Sequence, residues 1–191
     1  YYNYFLMLSL ALIAGYFITS LFFLNRTSKS GKQAEQFGMT VEKTNSVIQQ
    51  ITQLETSSYS YVITKTKESE AIYTHKKIRL IKYAKSLGDH CTAHHFANHE
   101  TEKLNRLISQ RIATLDNLMA QDSMSTEMLM EQMSFGNETT MAILSTLKKI
   151  RAMNREMREA SQLDAEIANR NAMVLMTLFG AVMLLIVFIS F

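Results

Sequence analysis

The side chains best suited to chemistry lie in one short segment, Ser86–Glu100, with the sequence SLGDHCTAHHFANHE. It holds four of the chain's five histidines and its only cysteine. Several of these residues are four positions apart, a spacing that places side chains on one face of a helix. Imidazole and thiolate groups bind Zn, Cu or Ni. The pattern therefore indicates a candidate transition-metal site, although a single helix cannot direct all five side chains to one metal ion. The candidate ligands are His90, Cys91, His94, His95 and His99.

Two other interpretations of this segment stay open. Asp89 can cap a new helix after Gly88, which would leave the histidines solvated in the turn farthest from the membrane. Clustered imidazoles can also sense pH, because they titrate near neutrality. Haem is disfavoured, since the chain has no Cys-x-x-Cys-His attachment run.

The rest of the sequence gives little sign of catalysis. It has neither a glycine-rich phosphate loop nor a serine nucleophile motif, so we expect no enzyme activity in residues 1–191, although an output region beyond them could be a kinase or cyclase. A net charge of +3 does not indicate nucleic-acid binding. Four tyrosines could line a small ligand cleft, or be core residues with the hydroxyl at the rim. They are Tyr59, Tyr61, Tyr73 and Tyr83.

Two uncharged apolar segments divide the chain into three parts. Residues 1–25 and 171–191 are each about as long as the roughly 20 residues that cross a bilayer. We therefore expect two transmembrane helices in contact with lipid, a domain at 26–170, and a cytoplasmic output region beyond Phe191. Arg26, Lys29 and Lys32 would by themselves place the domain inside, but a domain this long escapes the short-loop rule. We expect it on the extracytoplasmic side of a bacterial inner membrane.

The domain is predicted to be all-α. The chain has no proline, and its apolar residues recur at helical spacing. An up-down four-helix bundle is expected, with its first and last helices continuous with the spans. Breaks are predicted near Thr64–Glu68, at Gly88–Asp89 and across Asp122–Ser125. The second helix should bury Ile72, Ile81, Ala84 and Leu87. The apolar stripe of the fourth should run from Ile143 to Ile167.

The end of the first predicted helix resembles a known family. VIQQITQLETSSYSYVITKTKESEAIY, Val47–Tyr73, resembles the third type of CHASE domain, a helical extracytoplasmic sensor between two membrane helices. Its acidic-Thr pair matches here, as does its Tyr-apolar-apolar-Thr run. Tyr59, Ser60 and Lys65 stand where that pattern has Arg, Gly and Gly. The matching motif residues are Glu55, Thr56, Tyr61 and Thr64.

This resemblance implies the sensory input module of a histidine kinase or a cyclic-dinucleotide enzyme. It implies a parallel homodimer, and it names no ligand or partner protein. A chemoreceptor-like ligand-binding domain and a membrane scaffold protein remain alternatives. Within the motif, Glu55 lies on the predicted apolar stripe. It is either a partly solvated carboxylate near the helix end or a buried one that must pair and could set helix register.

Overall fold

The computed structural model describes residues 2–121 and 126–190, and nearly all of them are helical. The helices are α1 Tyr2–Thr64, α2 Lys67–Ala93, α3 Asn98–Met119 and α4 Thr126–Ser190. No strand occurs among these residues, so the all-α prediction is confirmed. The predicted break near Thr64–Glu68 is also confirmed. The break at Asp122–Ser125 and the terminal residues of the two predicted spans lie outside the described residues.

The chain divides into two compact units. One unit is Phe37–Glu156, and the other combines Tyr1–Gln36 with Met157–Phe191. Helices α1 and α4 contribute residues to both units, whereas α2 and α3 lie entirely within the first. The first unit is called the core unit below, and the second the apolar unit.

Helix α4 contains a candidate membrane span. Among the described residues, the segment Met130–Ile186 is long and apolar enough to cross a membrane, with an 18-residue window of mean hydropathy 1.5. The apolar stretch described in α1 is shorter, Ile13–Asn25, and the two-span topology stays a prediction. Helices α1 and α4 approach closely here, because a Cβ on Gly15 would lie 3.3 Å from the ring of Phe179.

The core unit buries one apolar cluster built from all four helices. Its members recur at spacings of three and four, the pattern of helices that pack along their length. Burial of each large aliphatic side chain contributes about 1.5–3 kcal/mol to folding. In α1 and α4 the fully buried members are Val47, Ile51, Leu54, Ile143, Leu147 and Ile150. In α2 and α3 they include Leu80, Leu87, Cys91, Leu104 and Leu115.

Contacts along α1 and α2 show that these helices are antiparallel. The ammonium of Lys76 donates to Gln53, and that of Lys43 donates to Ser86. The end of α2 therefore lies beside the start of the α1 segment in the core unit. The histidine-rich segment is consequently at the end where α1 enters the unit. Its predicted position in the turn farthest from the membrane is wrong. The chain reverses direction between α1 and α2, so the end of α2 returns to the end of the core unit at which α1 enters.

The predicted break at Gly88–Asp89 is also wrong, since α2 continues to Ala93. None of the described glycines has a positive φ, so the conformational freedom of Gly88 is not used. Leu87 and Cys91 flank it and are both fully buried, so their packing outweighs the modest helix penalty of one glycine. Asp89 is an exposed residue within the helix and not a cap. The N-cap of α2 is Thr66, whose hydroxyl accepts the backbone N–H of Ser69.

The apolar stripe of α2 is correct in part. Ala84 and Leu87 are buried as expected, but Ile72 and Ile81 are about half exposed. Their neighbours in the sequence are buried instead, Tyr73 next to Ile72 and Leu80 next to Ile81. Ile72 and Ile81 are thus left without a role in the apolar core.

Candidate functional site

A buried arginine is the most unusual feature of the core unit. Arg111 occupies a core position of α3 between Ile108 and Leu115, and only 2% of its side chain is exposed. Its Nε donates to Glu55 Oε1 at 2.8 Å, and one terminal nitrogen lies 2.7 Å from the same oxygen. That nitrogen also donates to the hydroxyl of Tyr59 at 3.0 Å. A charge taken out of water requires such partners.

Helix α4 completes this cluster from the opposite side. The hydroxyl of Thr140 donates to the Glu55 oxygen that receives Arg111. One turn earlier, Gly136 leaves room for the guanidinium, because a Cβ there would lie 1.7 Å from an Arg111 nitrogen. Three helices therefore meet at one charged group. We call Arg111, Glu55, Tyr59, Thr140 and Gly136 the Arg111 network.

A second polar cluster adjoins the network through α3. Tyr73 is buried, and its hydroxyl donates to Asp116 at 2.8 Å. The ammonium of Lys77 donates to the other Asp116 oxygen at 2.6 Å. Burial, then the hydrogen bond and charge of Asp116, raise the pKa of Tyr73 far above its usual value, against a smaller opposing effect of Arg111. The phenol therefore stays protonated and acts as a donor.

These residues border a groove of about 430 Å³ along α2 and α3. We call it the tyrosine groove and define it by Tyr61, Glu70, Tyr73, Lys77, Ile81 and Asp116. Two of the four tyrosines expected in a cleft, Tyr61 and Tyr73, line it. Tyr59 instead faces Arg111, and Tyr83 packs against the apolar core.

The family-motif residues have different surroundings. Glu55 belongs to the Arg111 network and Tyr61 to the tyrosine groove. Thr56 is exposed, and its hydroxyl donates to the carbonyl of Thr52. The hydroxyl of Thr64 donates to the carbonyl of Ser60 at the end of α1. The motif therefore spans one paired carboxylate and one groove residue, with two threonines that make local bonds.

The histidine-rich segment is divided between two helices and the turn that joins them. His90 is buried at the end of α2, where its Nε2 lies 3.0 Å from the Thr40 hydroxyl. The His94 ring lies edge-on to it, with ring centres 4.7 Å apart. His95 is exposed in the turn with φ of 55°. His99 is exposed on α3, 3.5 Å from a Glu100 oxygen.

This arrangement brings together only His90 and His94 of the five candidate ligands. Cys91 points into the apolar cluster, and His95 and His99 do not share a helix. Among the described residues, no group of three His, Cys, Asp or Glu side chains is placed to hold a metal ion. Metal binding at these residues stays a prediction.

Burial makes a direct prediction for the single cysteine. It raises the pKa of Cys91 to about 11, so the reactive thiolate is scarce at neutral pH. We expect iodoacetamide to label the folded chain at least tenfold more slowly than the urea-unfolded chain at the same pH. Mass spectrometry of quenched samples measures both rates. Equal rates would show that Cys91 is accessible in the folded chain.

Other polar contacts join helices near the entry end of the core unit. The Lys149 ammonium donates to Glu100 at 2.6 Å, which ties α4 to α3. This bond, more than the opposing effect of burial, holds the pKa of Glu100 below its usual value. Arg151 donates to Thr44, which ties α4 to α1.

Sequence reasoning missed the centre of the network. A search for apolar periodicity does not find Arg111, because arginine is charged. The signal was present, since Leu104, Ile108, Arg111 and Leu115 are spaced by four, three and four. Gly136 lies seven residues before Ile143, on the same face of α4. A charged residue within a stripe, with a glycine on a facing stripe, is the pattern that could have revealed it.

Comparison with known proteins adds no relative. No family model matches the chain, and no curated protein or solved structure does so either.

Proposed function

We propose that the chain is the sensory input module of a membrane receptor, with two membrane spans and a non-enzymatic, up-down four-helix bundle on the extracytoplasmic side. Lipid, a second copy of the chain and an external ligand or protein would be its partners. The observation that carries the proposal is the Arg111 network. It joins α1 and α4, the helices that also hold the apolar segments, through a single charged group on α3.

A buried ion pair suits a device that responds to small movements. Its partners are held at hydrogen-bond distance, and loss of either leaves a charge with little access to water. Signalling shifts of one helix against another are about 1–2 Å, enough to break bonds of this length. The network would therefore favour one register of α1 against α3 and α4. A stimulus would change the population of that register.

An exposed apolar stripe on α4 supports the proposed parallel dimer. Met157, Leu163 and Ile167 are 45%, 59% and 52% exposed. Leu163 and Ile167, four positions apart, share one side of the helix, and Met157 lies at the border of the same face. Exposed apolar residues in such a row are typical of surfaces that meet another helix. A second copy of α4 is the partner that the proposed dimer supplies.

Cysteine crosslinking tests this dimer. Leu163→Cys and Ile167→Cys should crosslink between chains in native membranes under mild oxidation, because their side chains would face across the seam. Ala165→Cys points to the opposite side of the helix and is the matched control, with an expected yield at least fivefold lower. Buried Cys91 should contribute little background. Equal yields at all three positions would refute the seam and weaken the sensory proposal with it.

A chemoreceptor-like receptor for a small molecule is the second candidate, and the tyrosine groove is the observation that favours it. The two candidates share the same membrane topology. The second candidate requires a defined small-molecule pocket, whereas the first leaves the stimulus open.

A further inference from the structure

We propose that the tyrosine groove binds a small organic amine, a molecule with an ammonium group on an aromatic or aliphatic body. This inference rests on the proposed function, because it names the ligand class of the same sensory unit. The volume of about 430 Å³ lies within the range of small-molecule sites. Both its charge and its walls favour this class.

The charge of the groove is left negative after its internal pair is formed. Lys77 and Asp116 both line it and neutralise each other at 2.6 Å. Glu70, in the first turn of α2, is exposed and makes no ion pair with any described residue. An ammonium group would supply the missing partner, whereas a carboxylate ligand would meet the charge of Glu70.

The aromatic ring of Tyr61 favours the same group. The Lys65 ammonium already lies over this ring, 5.2 Å from its centre. Lys65 does not line the groove, and its ammonium donates to the carbonyls of Gln121 and Met119. Tyrosine faces attract ammonium groups through the ring quadrupole. The contact shows that this ring accepts a cation at the edge of a groove whose Glu70 makes no ion pair with a described residue.

Apolar side chains provide a surface for the body of the ligand. Ile78 and Ile81 are 61% and 50% exposed, and both line the groove with Met119. Ile81 is one of the two α2 isoleucines that were expected in the core and are exposed, and Ile78 is a further exposed isoleucine on the same helix. Tyr73 forms a rigid wall, because its ring is buried and its hydroxyl is fixed by Asp116. Covering this surface would add hydrophobic stabilisation to the charge contact.

The position of the groove also connects binding to the Arg111 network. Asp116 lies on α3 five residues after Arg111, and Lys77 and Tyr73 hold it from α2. A ligand that displaces the Lys77 ammonium or shifts Asp116 acts on the helix that carries Arg111. Occupancy of the groove would then bias the register of α1 and α4.

Titration calorimetry on the full chain in detergent micelles tests the proposal with three related probes. They are phenethylamine, its neutral counterpart phenethyl alcohol, and the anionic hydrocinnamate. We expect saturable binding of phenethylamine, about tenfold tighter than either of the others. Glu70→Gln should weaken phenethylamine about fivefold and leave the alcohol unchanged. Tyr61→Leu should also weaken it about fivefold, and Tyr61→Phe should restore it.

Glu68→Gln is the matched control, because Glu68 is exposed in the same helical turn but does not line the groove. The affinity of this variant for phenethylamine should stay within about twofold of that of the unsubstituted chain. Equal binding of the alcohol, equal losses for Glu68→Gln and Glu70→Gln, or no saturation by about 10 mM amine would overturn the proposal.

The α4 crosslinking assay, run on the same samples, separates this inference from the proposed function. Amine binding that follows the variant pattern but leaves crosslinking unchanged would support the groove and count against signalling by helix displacement. Position-dependent crosslinking without amine binding would refute the tyrosine groove as an amine site and would leave the sensory proposal intact.

Discussion

Replacing Arg111 by alanine should destabilise the core unit by about 3 kcal/mol, the low end for loss of one partner from a buried ion pair. Among the described residues, the substitution leaves the Thr140 hydroxyl as the donor to the Glu55 carboxylate, and it opens a space beside Gly136. The Glu55 side chain is 18% exposed, so water can partly replace the guanidinium, and this limits the loss. Urea unfolding of the full chain in mild detergent, followed by circular dichroism, measures the effect.

A second arginine on α3 provides the control. Arg106 is exposed, so Arg106→Ala removes the same side chain without breaking a buried pair. We expect its stability to change by less than about 0.5 kcal/mol. If both alanine variants behaved alike, the loss at Arg111 would reflect helix propensity or net charge and not the network.

The double variant Arg111→Met, Glu55→Leu tests whether the pair contributes specificity more than stability. Replacing both charges by apolar groups removes the cost of desolvation along with the attraction. The double variant should therefore be more stable than Arg111→Ala, while its α1 and α4 should lose their preferred register. Position-independent crosslinking on α4 would report that loss. A double variant with the summed cost of its single variants would exclude coupling between Arg111 and Glu55.

Much of the helical organisation could be predicted from the sequence, since period and composition are local properties. The turn near Thr64–Glu68 and the buried positions Ala84 and Leu87 of α2 are examples. It is harder to predict which side of a helix faces the core, because two neighbouring positions in the sequence can both be apolar. Ile72 and Tyr73 were both suitable, and only the packing of α2 against α3 decides that Tyr73 is buried. The break predicted at Gly88 is wrong for a related reason. The packing of Leu87 and Cys91 stabilises the helix on both sides of this glycine.

The candidate site was less accessible to sequence reasoning because it joins distant segments. Glu55 and Arg111 are separated by 56 positions, and Glu55 and Thr140 by 85. A carboxylate on an apolar stripe shows that a partner is needed, but not which cation supplies it. The histidine-rich segment shows the reverse. Its residues are dense in sequence, yet the end of α2 at Ala93 divides them among different surroundings.

Alanine at Gly136 should have an effect close to that of losing Arg111, about 2–3 kcal/mol of destabilisation. The added Cβ would lie 1.7 Å from one guanidinium nitrogen and 2.5 Å from the central carbon. A flexible side chain could normally move away at little cost. Arg111 can do so only by giving up its bonds to Glu55 and Tyr59.

Gly38→Ala is the matched control, because Gly38 is also helical and, apart from its neighbours and its own helix backbone, no described atom lies within 4 Å of its added Cβ. There alanine should stabilise by about 0.5–1 kcal/mol, as expected for an open helical site. In an Arg111→Ala background the clash at position 136 disappears, and Gly136→Ala should then become stabilising by a similar amount. That change of sign, read from urea midpoints of the four combinations, requires direct contact between the two positions. A constant penalty for Gly136→Ala in both backgrounds would mean that the glycine serves some purpose other than making room for the arginine.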